Sequence, residues 1–204
     1  PPVAWVERAD AGLADAWAAR RKSRNWGRDP VAWAGQRLRQ PPWSRQAEVM
    51  NAVRDERRTA VQSGHGVGKS HIAAAITCWW LDTHPPGEAF VVTTAPTFPQ
   101  VRAILWRYIR RMHAAGELPG RVNQTEWLLN EELAAFGRKP SDYSESAFQG
   151  IHAPYVLVII DEAGGVKSQL WIAADALTTN EGCRILAIGN PDNSASEFKK
   201  VCTP

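Results

Sequence analysis

Residues 63–70 read Ser-Gly-His-Gly-Val-Gly-Lys-Ser, and this stretch restricts the possible folds more than any other in the chain. Gly68-Lys69-Ser70 is the tail of a phosphate-binding loop. The backbone N–H groups of such a loop turn inward to cradle phosphate oxygens, so its residues must be small. Its lysine reaches the β and γ phosphates and its hydroxyl holds Mg²⁺. The usual spacing asks for glycine at the first position, where this chain has Ser63, but Gly64 and Gly66 still supply residues tolerant of positive φ. Ser63, Gly64, His65, Gly66, Val67, Gly68, Lys69 and Ser70 are therefore the candidate nucleotide-binding residues. The motif also needs a strand before the loop and a helix after it. Residues 59–62 are a short strand candidate, and residues 70–81 are rich in helix formers up to the breaker His84-Pro85-Pro86-Gly87. That helix would aim the positive end of its dipole at the phosphates. A glycine turn carrying a chance Gly-Lys-Ser is the bland alternative, and the context argues against it.

The rest of the pattern alternates strand and helix. Residues 89–95 form an apolar, β-branched run ended by Pro96. In 99–115, Val101, Ile104, Leu105, Tyr108, Ile109 and Met112 recur at amphipathic helical spacing, with Arg102, Arg107, Arg110 and Arg111 on the other face. A hairpin is expected over 126–129 and 133–136, with a loop through 137–140. Residues 155–160 are almost continuously apolar, as in a strand buried on both faces of a parallel sheet. A helix over 168–178 and a strand over 184–188 follow. Upstream, 43–58 reads as one helix with Ala47, Met50 and Val53 facing inward. Residues 3–40 read as a polar helical extension whose basic run, 16–22, is best taken as a solvated helix end. The expected fold is α/β, a three-layer arrangement around a mainly parallel sheet. An N-terminal helical extension or lid (1–40) would precede a nucleotide-binding domain (41–204).

Composition bounds the partners only loosely. The chain has 204 residues, 44% of them hydrophobic, and a formal net charge of +3, so bulk charge selects no partner class. Arginine outnumbers lysine 18 to 6, which suits phosphate and carboxylate recognition. The ten tryptophans read mostly as core. Cys78, Cys183 and Cys202 are odd in number and lack metal-ligand spacing, which disfavours a disulfide framework and suits a reducing compartment. No signal peptide and no apolar run of membrane-spanning length is visible. The start at Pro1 and the charged end suggest an excised domain of a longer protein.

Two further motifs carry chemistry. Residues 156–160 run apolar into Asp161-Glu162, a Walker B pattern. Ligands of a parallel sheet bind beyond the carboxyl ends of its strands, where the phosphate loop also opens. Asp161 would then hold Mg²⁺ together with Ser70, and Glu162 would orient and polarise the attacking water. Asn190, at the end of the next strand, could sense the γ-phosphate or that water, although Asn190-Pro191 also reads as a plain turn. In Trp43-Ser44-Arg45-Gln46 the glutamine amide could read an adenine edge and the indole could stack on it. The competing reading is a core tryptophan and a helix capped by Ser44.

Over residues 33–198 these motifs, in this order, resemble the ATPase domain of the large terminase subunit of tailed bacteriophages. The resemblance rests on 42–46, 64–70, Thr93-Thr94-Ala95-Pro96-Thr97, Phe148-Gln149-Gly150-Ile151-His152-Ala153, Ile160-Asp161-Glu162-Ala163 and Gly189-Asn190-Pro191. It implies a RecA-like P-loop ATPase of the additional-strand, catalytic-glutamate type that hydrolyses ATP with Mg²⁺ and packages double-stranded DNA into a prohead. In that family Gln46 belongs to the adenine-reading motif, Lys69 and Ser70 to phosphate and metal, Asp161 to the metal and Glu162 to catalysis. Asn190 lies in the motif coupling hydrolysis to DNA movement. Many such proteins carry an arginine where this chain has His65. Full-length relatives add a C-terminal nuclease, and no second acidic cluster for one is visible here.

The resemblance further implies a homo-oligomeric ring on assembly, a portal ring and a small terminase subunit as partners, and the cytoplasm of an infected bacterium as location. The state of the isolated chain, monomer or otherwise, stays open. A neighbouring subunit could supply an arginine finger, with Arg138 the first candidate and Arg102 and Arg107 the next. Each also reads as a solvated arginine. DNA phosphates could meet the Arg107, Arg110, Arg111 face and Lys199-Lys200. Two other classes remain open: a superfamily 2 helicase fragment, which would need a second RecA-like domain, and a non-enzymatic nucleotide switch, which would have no need of Glu162.

Overall fold

The computed structural model describes residues 26–138, 153–190, 192 and 196–203. Two helices open this part, α1 (Pro30–Arg37) and α2 (Ser44–Asp55). Strand β1 (Arg58–Gln62), helix α3 (Lys69–Thr83) and strand β2 (Ala89–Thr94) follow. A π-helical turn (Gln100–Leu105) runs directly into α4 (Trp106–Ala115). Next come β3 (Arg121–Val122), β4 (Glu126–Leu129), β5 (Glu132–Arg138) and β6 (Tyr155–Asp161). The described chain closes with α5 (Ser168–Leu177), β7 (Arg184–Gly189) and α6 (Glu197–Val201).

The seven strands form one sheet in the order β1-β7-β6-β2-β5-β4-β3. The first five pair in parallel, and β5-β4-β3 is an antiparallel meander at the far edge. The β4–β5 turn is tight because Asn130 and Glu131 both take positive φ, 51° and 63°. β5 extends to Arg138, so the hairpin's second strand enters the parallel sheet where a loop was expected.

Period-two alternation divides the apolar residues of β6 between two layers. Leu157 and Ile159 join the cluster formed with α1, α2, α3 and α4, while Val156, Val158 and Ile160 face α5 and α6. This is the expected three-layer α/β arrangement. Residues 26–40 are packed into the first layer: Trp33 is fully buried and donates its indole N–H to Asp82 of α3 at 2.8 Å, where Arg37 also pairs at 3.3 Å. The basic run 16–22 lies outside the described residues.

One sequence expectation and one competing reading fail locally. The helix over 99–115 is not a uniform α-helix. Its π turn inserts one residue, which turns Ile104 out to 39% exposure and buries Trp106 completely against Thr93 Oγ1 (2.8 Å). Ser44 does not cap α2. Trp43 holds the cap position, and no side-chain bond is made there.

Candidate active site

The site assembles at the C-terminal edge of β1, β7 and β6. Parallel pairing brings Gln62 beside Gly189, and Ile188 beside Asp161, so three loops emerge side by side. The loop after β1 carries the candidate phosphate-binding residues, 63–70. Gly66 and Gly68 take φ of 75° and 87°, a region in which a side chain would be strained. A Cβ on Gly68 would also stand 2.8 Å from Gln46 Nε2, so that side chain would have to shift. The adenine-motif candidate and the phosphate loop are thus in contact.

Lys69 opens α3 and is buried, with its ammonium held by the Gly64 carbonyl (2.8 Å) and Asn190 Oδ1 (2.6 Å). Glu162 Oε1 stands 3.9 Å from it. The Ser70 hydroxyl donates to Asp161 Oδ2 at 2.7 Å. Five residues spread over 122 positions of sequence are thus linked in a chain of contacts: Asn190 to Lys69, Lys69 to Glu162, the Glu162 N–H to Asp161, and Asp161 to Ser70. Asp161 is 2% exposed, and burial pushes its carboxyl above the ordinary range, opposed by the Ser70 bond and reinforced by Glu162. Glu162 sits at φ 50°, ψ 46°, a left-handed conformation that a non-glycine residue adopts at a cost of roughly 1 kcal/mol or more. Strain held at this position fits a side chain that the loop must aim. The strain rests on close packing: a Cβ on Gly189 would stand 2.8 Å from the Ala163 nitrogen.

Do these residues suit a nucleotide and Mg²⁺? The donor set does. A hydroxyl and a carboxylate, both hard oxygen ligands, stand together, and a protein normally offers Mg²⁺ only one or two such groups beside the phosphates. The glycine cradle suits a phosphate chain. The buried hydroxyls of Ser63 and Thr94, both on this edge, have no hydrogen-bond partner. Thr94 lies in the 93–97 motif, but the sequence suggested no role for it. At the other end, a cleft of about 520 Å³ is lined by Trp43, Gln46, Val49, Val67, Gly68 and Ile72. Trp43 is 50% exposed there, not the core tryptophan of the competing reading. A larger groove, about 1020 Å³, lies between β1, α5 and α6, and neither Lys69 nor Asp161 lines it.

The arginine candidates lie elsewhere. Arg138 pairs in register with Thr94 at the same sheet edge, but β5 is four strand spacings from β1, about 19 Å. Its guanidinium lies 4.5 Å over the Phe136 ring. Arg102 and Arg107 are exposed, and Arg107 lies over the Tyr108 ring at 5.5 Å. Of the DNA candidates, Arg110 donates to the Gln124 carbonyl and Lys200 pairs with Glu197. Residues 148–152 and Pro191 lie outside the described residues. Among the described residues no helix is long and apolar enough to cross a membrane, and no group of three or more His, Cys, Asp and Glu is placed to hold a metal.

The architecture has counterparts among solved structures. The large terminase ATPase domain of Thermus phage P74-26 superimposes with a TM-score of 0.63 over 84% of this chain and 73% of that one, at 17% identity. The fold is that of a phage terminase ATPase domain. The large terminase of a second thermophilic bacteriophage, in complex with ADP, gives 0.56 at 16% identity, covering 72% of this chain and 38% of that one. By sequence, the chain is 28% identical over 173 residues to a probable terminase large subunit of Enterobacteria phage P7, covering 78% of this chain. It spans 34% of that relative's length, about a third. No protein-family model matches.

Proposed function

We propose that this chain hydrolyses ATP as the motor domain of a phage DNA-packaging machine. The observation that carries the proposal is the convergence of Lys69, Ser70, Asp161, Glu162 and Asn190 on one sheet edge that opens into the Trp43–Gln46 cleft. Phosphoryl transfer is catalysed mainly by positioning and charge neutralisation. Lys69 would meet the β and γ phosphates with the inward-facing N–H groups of 64–70. Ser70 and Asp161 would hold Mg²⁺, which when bound neutralises phosphate charge. Glu162, its backbone fixed in the left-handed region, would orient and polarise the attacking water. Trp43 would stack on the base and Gln46 would read its edge.

The likeness to large terminases supports assembly as a homo-oligomeric ring on a portal ring, with a small terminase subunit and double-stranded DNA as partners, in the cytoplasm of an infected bacterium. In such a ring Arg138, on the rim of the sheet but too far from its own phosphate loop, would reach a neighbour's. Arg102 and Arg107 are the next candidates. The DNA contacts would be to phosphates, through the Arg107–Arg111 face and Lys199-Lys200. A C-terminal nuclease in the full-length protein belongs to the same proposal.

Phosphate release in the presence of Mg²⁺ tests it. Glu162→Gln should lower kcat about 10²- to 10⁴-fold while keeping the affinity for a fluorescent ATP analogue. Turnover unchanged in that variant would overturn the reading. Mixing Arg138→Ala with Glu162→Ala subunits should restore hydrolysis, and full activity of Arg138→Ala alone would remove Arg138 as the finger.

A further inference from the structure

The Asn190 side chain is held at both ends by the phosphate loop. Lys69 donates to Oδ1 at 2.6 Å, and a lysine ammonium has donors only, so the atom facing it must be the amide oxygen. That orientation turns the amide N–H groups toward His65, whose Nε2 stands 2.6 Å and Nδ1 3.1 Å from Nδ2. The imidazole must therefore present an unprotonated nitrogen, with Nε2 the nearer acceptor. His65 is exposed, so neither burial nor packing explains its place against a residue 125 positions away.

We infer that His65 is a positioning residue for Asn190: it anchors the amide to the phosphate loop while Lys69 exchanges between Asn190 and phosphate. The functional meaning of this inference rests on the proposed nucleoside-triphosphate site; the contact itself does not. In this structure Lys69 is engaged by Asn190 and Gly64. When a phosphate draws the ammonium away, Asn190 loses one of its two tethers. With His65 on Nδ2, the amide keeps its direction and the tip of β7 stays registered to the loop. Without His65, the same event would free the side chain. An arginine at 65 could not replace the imidazole, because it offers donors alone and would face the donor side of the amide with like polarity.

Two measurements test this. In the ¹⁵N-labelled full chain without nucleotide, the Asn190 side-chain amide is identified by its loss in Asn190→Asp. His65→Ala should speed its solvent exchange at least about tenfold, and His65→Gln, whose amide oxygen can accept, should restore most of the protection. Unchanged exchange in His65→Ala overturns the inference, whether or not the chain hydrolyses ATP. In turnover, loss of one hydrogen bond predicts a kcat about three- to tenfold lower for His65→Ala and His65→Arg, with analogue affinity changed much less and with rescue by His65→Gln. In an Asn190→Ala background His65→Ala should cost nothing more, whereas an undiminished cost there would mean that His65 acts independently of Asn190 and would also overturn the inference. A wild-type chain that binds the analogue but turns over no ATP would defeat the hydrolytic proposal alone, since amide exchange still decides this one.

Discussion

The two ends of the site are built differently. At the proposed phosphate end Lys69, Asp161 and Asn190 are all buried and each is hydrogen-bonded within the protein. At the base end Trp43 is half exposed, and Gln46 rests against Gly68 across an open cleft. Buried groups that fix one another's direction suit the electrostatic catalysis proposed for this end. At the proposed base end, Trp43 would keep its freedom until a ring stacked on it. Changes at the first should therefore strike turnover, and changes at the second should strike affinity alone.

Lys69→Ala should give the largest effect. It removes the ammonium proposed to meet the β and γ phosphates, and loss of two charge-assisted bonds to them predicts a fall in kcat/KM of about 10²-fold or more. Phosphate-release kinetics would show it, and a loss confined to KM would break the distinction between the two ends. Trp43→Ala should weaken binding about tenfold, as loss of one stacking platform does, with kcat unchanged. Fluorescence titration with an ATP analogue and with the bare triphosphate would separate base from phosphate. Gly68→Ala joins the two ends, since its methyl would both strain a φ of 87° and press Gln46 outward. It should weaken binding several-fold, the effect of about 1 kcal/mol of backbone strain.

The smallest expected effect is one of stability. Burial raises the Asp161 carboxyl above its ordinary range, so on titrating upward the unfolded chain releases this proton before the folded one does. Stability is therefore lost as pH rises from the unfolded value toward the folded one, and the deficit persists above it. In Mg²⁺-free buffer near neutrality Asp161→Asn should raise the melting temperature by about 2–4 °C, what about 1 kcal/mol gives at this size, while abolishing turnover. The gain should shrink once the pH falls below the folded value. A variant that melts lower at every pH would show that the Ser70 bond outweighs the burial of charge.

Much of this was legible in the sequence because its signals are local. The glycine loop between β1 and α3, the apolar run into Asp161-Glu162 and the breakers at 84–87 each announce their element within ten residues. The base end was only half legible: Gln46 and Trp43 could be named, but their exposure depends on how α2 lies against β1. The His65–Asn190 contact was invisible because strand order, not sequence, makes neighbours of β1 and β7. Arg138 precedes β6 in sequence, but β2 stands between their strands, a separation that sequence order does not show.

The π turn at Gln100–Leu105 has a consequence for length variation. Between the buried Val101 and the buried Trp106 the chain carries one residue more than an α-helix needs, and Arg102 and Ala103, both exposed, are the spare positions. Deleting Ala103 would leave Val101, Leu105, Trp106, Ile109 and Met112 in unbroken α-helical spacing, with both flanks undisturbed. A deletion inside α4 would instead rotate everything beyond it by about 100° and expose part of the core. This helix can therefore shorten by one residue at its π turn alone, so close relatives that differ in length by one here would share the same packing.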